Sequence, residues 1–146
     1  MKVSLELQPC IGTRSGIGVY TYELAKRLRS NERVSINGNV FNFMKNHSIT
    51  SLDNINFPIN QCTLMSYGIY RRIWNIVPIK YNSLFQKNSD IYHFFNYIVP
   101  PHIRGNIITT IYDMSYKFYP ETLDPKNLKR LKKDILYTAD RSDVII

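Results

Sequence analysis

Apolar and polar positions alternate in KVSLEL at residues 2–7, and the period then changes. Ile17, Tyr20, Leu24, Ala25 and Leu28 recur three and four residues apart. The first pattern predicts a strand and the second an amphipathic helix. VSINGNVFNF at residues 34–43 returns to strand-like composition, with Asn37-Gly38 either a weak point within a strand or the turn of a hairpin. Residues 44–60 are polar, rich in Asn and Ser, and predict a loop. After a short apolar piece at residues 63–65, Ile69, Ile73, Trp74 and Val77 fall at helical spacing and stop at or near Pro78, giving a basic, aromatic-bearing helix. DIYHFFNYIVPP at residues 90–101 reads as a buried strand closed by a double-proline turn, and NIITTIYD at residues 106–113 as another. Asp124-Pro125 is the clearest helix start in the chain, since Asp accepts orphan amide hydrogens and Pro presets φ. Leu128, Leu131, Ile135 and Ala139 line one face of that helix and Lys126, Lys129, Arg130 and Lys133 another, before SDVII opens a last strand.

Strands taking turns with helices predict a Rossmann-like three-layer α/β/α domain with a mainly parallel sheet. In such sheets ligands sit outside the carboxyl ends of the strands. Those ends are the loops after Leu7, His93 and Tyr112, and they carry Arg14, Ser15, Gly16, Gly18, Asn96, Tyr97, Asp113 and Tyr116.

Composition narrows the classes. A chain of 146 residues with 44% hydrophobic and 13% aromatic content is expected to build one globular core. Cys10 and Cys62 are two isolated thiols, which fits neither a disulfide framework nor a zinc site and suits a reducing cytoplasm. No stretch reaches the ~20 apolar residues needed to span a bilayer, and MKVSLELQPC lacks the apolar block of a signal peptide. The Asn46-His47-Ser48 sequon is therefore expected to be coincidental. A net charge of +8 and a pI near 9.5 call for polyanionic company: nucleic acid, an anionic membrane surface or phosphorylated small molecules. Neither a zinc-finger spacing nor the signature of an RNA-recognition sheet is present, so nucleic acid is set aside.

The candidate chemistry starts at GTRSGIG. It is not a P-loop, because no Gly-Lys-Ser/Thr ends it, and not a dinucleotide fingerprint, because Thr21 stands where a third Gly or Ala belongs. Gly16 and Gly18 nonetheless open a helix whose first amides are unpaired, which suits an anion approaching the backbone. A packing turn with no ligand fits these residues equally well.

Gly16-Ile17-Gly18-Val19-Tyr20 followed by TYELAKRL, then DIYHFFNYIVPP, then ITTIYDMSYKFYPE, then a basic helix ending ADRSDVII is similar, in order and spacing, to the amino-terminal domain of family 4 glycosyltransferases. Bacterial mannosyltransferase-like members are the nearest resemblance. It covers the first strand and helix and nearly everything from Asp90 onward; residues 44–87 match only as generic variable sequence.

The resemblance implies the first half of a GT-B fold, in which two Rossmann-like domains face a cleft and a sugar passes, with retention, from a nucleotide-sugar to a glycan or lipid-linked acceptor. It implies that Gly16, Ile17 and Gly18 lean toward the donor diphosphate, and that Tyr112 and Asp113 stand at the catalytic position. Arg14, His93, Asn96, Tyr97 and Tyr116 fall on the acceptor side. Neither a cofactor nor a metal is called for. Family members usually carry His where this chain has Tyr112, and a phenol titrating near ~10 cannot replace an imidazole at neutral pH. His93 and Tyr97 also suit purely structural roles, a buried strand-end His and a packing aromatic. The expected chain is a single acceptor-side domain over residues 1–146, lacking the nucleotide-sugar domain, cytoplasmic and able to lie against the anionic inner face of a membrane. The alternative is a non-catalytic Rossmann-like module binding a phosphorylated ligand or a protein partner.

Overall fold

The computed structural model describes residues 1–85 and 88–146; Gln86 and Lys87, at the end of the variable stretch, lie outside the described residues. Six parallel strands, β1 (Lys2–Glu6), β2 (Ser35–Phe41), β3 (Ile59–Cys62), β4 (Ile91–Phe94), β5 (Asn106–Thr109) and β6 (Val144–Ile145), form one sheet in the order β3-β2-β1-β4-β5-β6. The helices are α1 (Gly16–Leu28), α2 (Tyr67–Ile73), α3 (Tyr81–Leu84), α4 (Ser115–Phe118) and α5 (Pro125–Arg141). This is a Rossmann-like α/β fold.

Alternation along the strands feeds two cores. Leu5, Leu7, Ile36 and Val40 pack with Ala25 of α1 on one face, joined by Leu52 and Ile55. On the other face Phe41, Tyr92, Phe94 and Ile107 meet Tyr70 of α2, Trp74 just beyond its end and Tyr81 of α3. Phe41 stacks on Tyr70 at 5.1 Å and meets Phe85 edge-on at 5.2 Å. Such aromatic pairs contribute about 0.5–1.5 kcal/mol each beyond their burial.

Asn37-Gly38 is not a turn. Both residues lie inside β2, in register with Ser4 and Leu5 of β1. Asn37 and Asn39 point into the aromatic face, where their amides are satisfied sideways: Asn39 Nδ2 donates to Ser4 Oγ at 2.8 Å, and Asn60 Nδ2 donates to Oδ1 of both Asn37 and Asn39 at 3.0 Å. A buried amide is tolerated in a strand when its donors and acceptors are paired.

The polar middle is likewise more ordered than its composition predicts. Residues 50–55 form a 3-10 turn whose Leu52 and Ile55 plug the core beside α1, and β3 follows as a sheet edge. α2 starts earlier than expected, with Ser66 Oγ accepting from Ile69 N, and buries Tyr70 and Trp74 while Ile69 stays exposed. α5 begins as its sequence predicts: Asp124 Oδ1 accepts from Lys126 N at 3.0 Å and Asn127 N at 3.1 Å.

Candidate functional site

The strand order reverses at β1, whose neighbours are β2 on one side and β4 on the other. Beyond the carboxyl ends of β1 and β4 the outgoing connections diverge, and the fold leaves a crevice there. β1 leaves through a 3-10 turn, Gln8–Cys10, and residues 11–15 into α1. β4 leaves through residues 95–101, and β5 leads through residues 110–114 into α4.

In the first loop the two glycines do different things. A methyl built at Gly16 meets nothing within 4 Å, so the opening of α1 is accessible, and its first amides face outward as at any helix start. A methyl at Gly18 would sit 2.3 Å from the Pro9 carbonyl oxygen, and the Gly18 carbonyl accepts from Cys10 Sγ at 3.5 Å. Gly18 is thus the packing glycine of this turn. Thr21, in place of a third glycine, is fully buried and satisfies its hydroxyl by donating to Ile17 O at 2.8 Å. Arg14 is engaged within the chain: its guanidinium lies over the Tyr22 ring at 3.7 Å and donates to the Ser51 carbonyl.

Ile17, Asn96 and Tyr97 come together in a cleft of about 210 Å³ that Leu123, Asn127, Arg130, Leu131 and Asp134 complete. Beside it three phenols form an aromatic corner, with Tyr112 edge-on to Tyr20 at 5.2 Å and to Tyr97 at 5.6 Å. Tyr97 holds a left-handed backbone, φ 54°, a conformation that non-glycine residues adopt at a cost. Its phenol is raised from its ordinary pKa by burial and by the nearby Asp113 carboxylate. Asp113 accepts from Ser115 N at 2.9 Å and is lowered from its ordinary value by its Ser115 and Tyr97 hydrogen bonds, so it stays ionised at neutral pH. Tyr112 is pushed up to about 12, mainly by burial. Thr21 lies near its hydroxyl, but that hydroxyl closes no hydrogen bond.

The remaining sequence candidates are placed otherwise. His93 is buried, bonded through Nε2 to Thr110 Oγ1 at 2.9 Å, packed on Phe95 at 4.0 Å, and lowered to about 4 by burial. It is a neutral core histidine at pH 7. Tyr116 is buried in α4.

One residue was overlooked by pattern reading. Glu6, 3% exposed at the end of β1, accepts from Gln8 N at 3.0 Å and is pushed up to about 8 by burial. Alternation with Leu5 and Leu7 suggests a solvated Glu, but a parallel sheet covered on both faces buries both sets. A charged residue inside such a strand was the available signal.

Among the described residues no group of three or more His, Cys, Asp or Glu could hold a metal ion. No helix among them is long and apolar enough to cross a membrane. The chain matches no family model, no curated protein and no solved structure.

Proposed function

We propose that this domain is the acceptor-side half of a retaining, nucleotide-sugar-dependent glycosyltransferase. The observation that supports the reading is a convergence: Gly16-Ile17, Asn96-Tyr97 and Tyr112-Asp113, far apart in sequence, meet at the carboxyl edge of β1, β4 and β5. In this reading the amides at the start of α1 stabilise charge growing on the leaving diphosphate, as preorganised donors do. Ionised Asp113 accepts a hydrogen bond from a sugar hydroxyl, the Tyr112 ring, its phenol oxygen enclosed by the protein, backs the site against Tyr97, and the cleft at Asn96 and Tyr97 receives the acceptor. Glycan or lipid-linked acceptors suit the reading, as does peripheral association with an anionic membrane.

Transfer also requires the donor carbon to be held against the acceptor, a positioning effect of roughly 7 to 11 kcal/mol of barrier that half a cleft does not supply. The chain alone is therefore expected to release no nucleotide from a panel of nucleotide-sugars with candidate acceptors, whereas release should appear when a nucleotide-sugar-binding domain is added. Steady multiple turnover by the chain alone, free of contaminating enzyme, would overturn the half-enzyme reading.

Tyr112 in place of an imidazole favours a second reading, a non-catalytic module that binds a phosphorylated ligand or protein partner through the same loops. Tyr112→His separates the two. A gain in transfer by the completed enzyme fits the first, and unchanged ligand binding without any transfer in either form fits the second.

A further inference from the structure

The basic face of α5 is divided by the fold. Arg130 and Lys133 line a cleft of about 490 Å³ between α5 and α2, while Lys126 and Lys129, on the same helix, do not. Arg71 and Arg72 of α2 supply the opposite wall. The walls are tied at two points: Arg71 Nη2 donates to Asp134 Oδ2 at 3.0 Å, and Tyr137 Oη donates to Asn75 Oδ1 at 3.4 Å. Four cations therefore share one carboxylate. Among the described residues no carboxylate lies within ion-pair distance of Arg72, Arg130 or Lys133.

From this geometry we infer that the α2–α5 cleft is a binding site for a phosphate ester, distinct from the opening of α1. Like charges held on facing walls repel one another, and an anion between them removes that repulsion. Guanidinium groups add planar, paired donors that match phosphate oxygens, which a lone lysine cannot. The volume falls within the range of small-molecule sites, so it admits the organic part of an ester as well as the phosphate. Arg130 and Asp134 also line the smaller cleft at Ile17, Asn96 and Tyr97, so the two clefts adjoin there. The inference does not depend on glycosyl transfer. The phosphate comes either from a soluble ester or from a lipid headgroup, and the test separates these.

The 146-residue chain, labelled with nitrogen-15, is titrated with inorganic pyrophosphate and, in parallel, sedimented with vesicles of phosphatidylcholine with and without phosphatidic acid. Two charge-matched variants are compared, Arg72→Gln with Lys133→Gln in the cleft and Lys126→Gln with Lys129→Gln outside it. The cleft pair is expected to weaken binding about tenfold and the outer pair less than about twofold, since specific charge contacts exceed a general field. Amide shifts should map to α2 and α5. Pyrophosphate binding with this dependence and no gain in sedimentation from phosphatidic acid assigns a soluble ester, and sedimentation that requires phosphatidic acid, with the same dependence, assigns a lipid headgroup whether or not pyrophosphate also binds. Equal losses in both pairs, or no binding of either probe, would overturn the site. If the cleft pair fails to fold, Lys133→Gln alone, read by the same spectra, decides.

Discussion

Glu6 shows how a single residue couples local chemistry to stability. Burial raises its carboxyl from an ordinary 4.5 to about 8, so between those values the folded chain holds a proton that the unfolded chain has released. The unfolded state binds fewer protons there, and stability must fall as pH rises, by at most about 1.4 kcal/mol per unit. His93 acts the other way: lowered from 6.5 to about 4, it makes stability rise with pH across that window. The two oppose each other below about 6.5, and Glu6 acts alone from there to about 8. Glu6→Gln keeps the acceptor for Gln8 N and removes the titration, so it should abolish the decline above about pH 6.5 and raise the denaturant midpoint at about pH 9. An unchanged slope in urea titrations would mean that Glu6 does not titrate as placed. The two loop glycines separate at the same scale. Gly18→Ala should cost about 1–3 kcal/mol, because the new methyl must displace the Pro9 backbone. Gly16→Ala should stay within about 1 kcal/mol of the parent in either direction, and Gly16→Val should keep the fold while, on the proposed glycosyltransferase reading, impairing use of the donor. Melting curves beside kinetics check this. The GxG spacing was legible in sequence; that one glycine packs and the other is open was not, because that depends on where Pro9 comes to lie.

At the scale of elements, local chemistry was most readable where it closes within a few residues. Asp124 caps α5 through amides two and three positions on, and Pro125 follows it, so the signal and its effect share one turn. Asp124→Ala should therefore cost about 0.5–2 kcal/mol in thermal unfolding, while Asp124→Asn should cost less. Equal losses for both would make charge, not capping geometry, the stabilising feature. β2 was less readable because its two asparagines are satisfied by Ser4 and Asn60 from neighbouring strands. Asn-Gly carries a turn propensity that strands on both sides override. The 3-10 turn at residues 50–55 escaped for the same reason: Leu52 and Ile55 are two apolar residues in a polar stretch, and only the core beside α1 gives them a role. The face of α1 is rotated from the pattern as well, with Gly18, Thr21 and Ala25 buried and Tyr20 turned to the aromatic corner.

At the scale of the whole molecule, the alternation of strand and helix periods determined the fold class, because a strand that must run parallel to its predecessor needs a covering crossover, and those after β1, β3 and β5 carry α-helices. Sequence also named the loops after β1, β4 and β5 as the place for chemistry, since in a parallel sheet the carboxyl ends share one edge. The order β3-β2-β1-β4-β5-β6, and with it the crevice at β1 and β4, came only from tertiary structure. So did the sorting of the candidates: Ile17, Asn96, Tyr97, Tyr112 and Asp113 gather at the edge, while His93 and Tyr116 are buried and Arg14 is bound to Tyr22 and Ser51. Arg130 and Lys133 were separated from Lys126 and Lys129 by the same means, through a facing helix more than fifty residues upstream. The division has one physical cause. Period, caps and composition are properties of neighbours along the chain, whereas exposure, charge pairing and the protonation of Glu6 and His93 depend on groups brought near by folding, which no local pattern encodes.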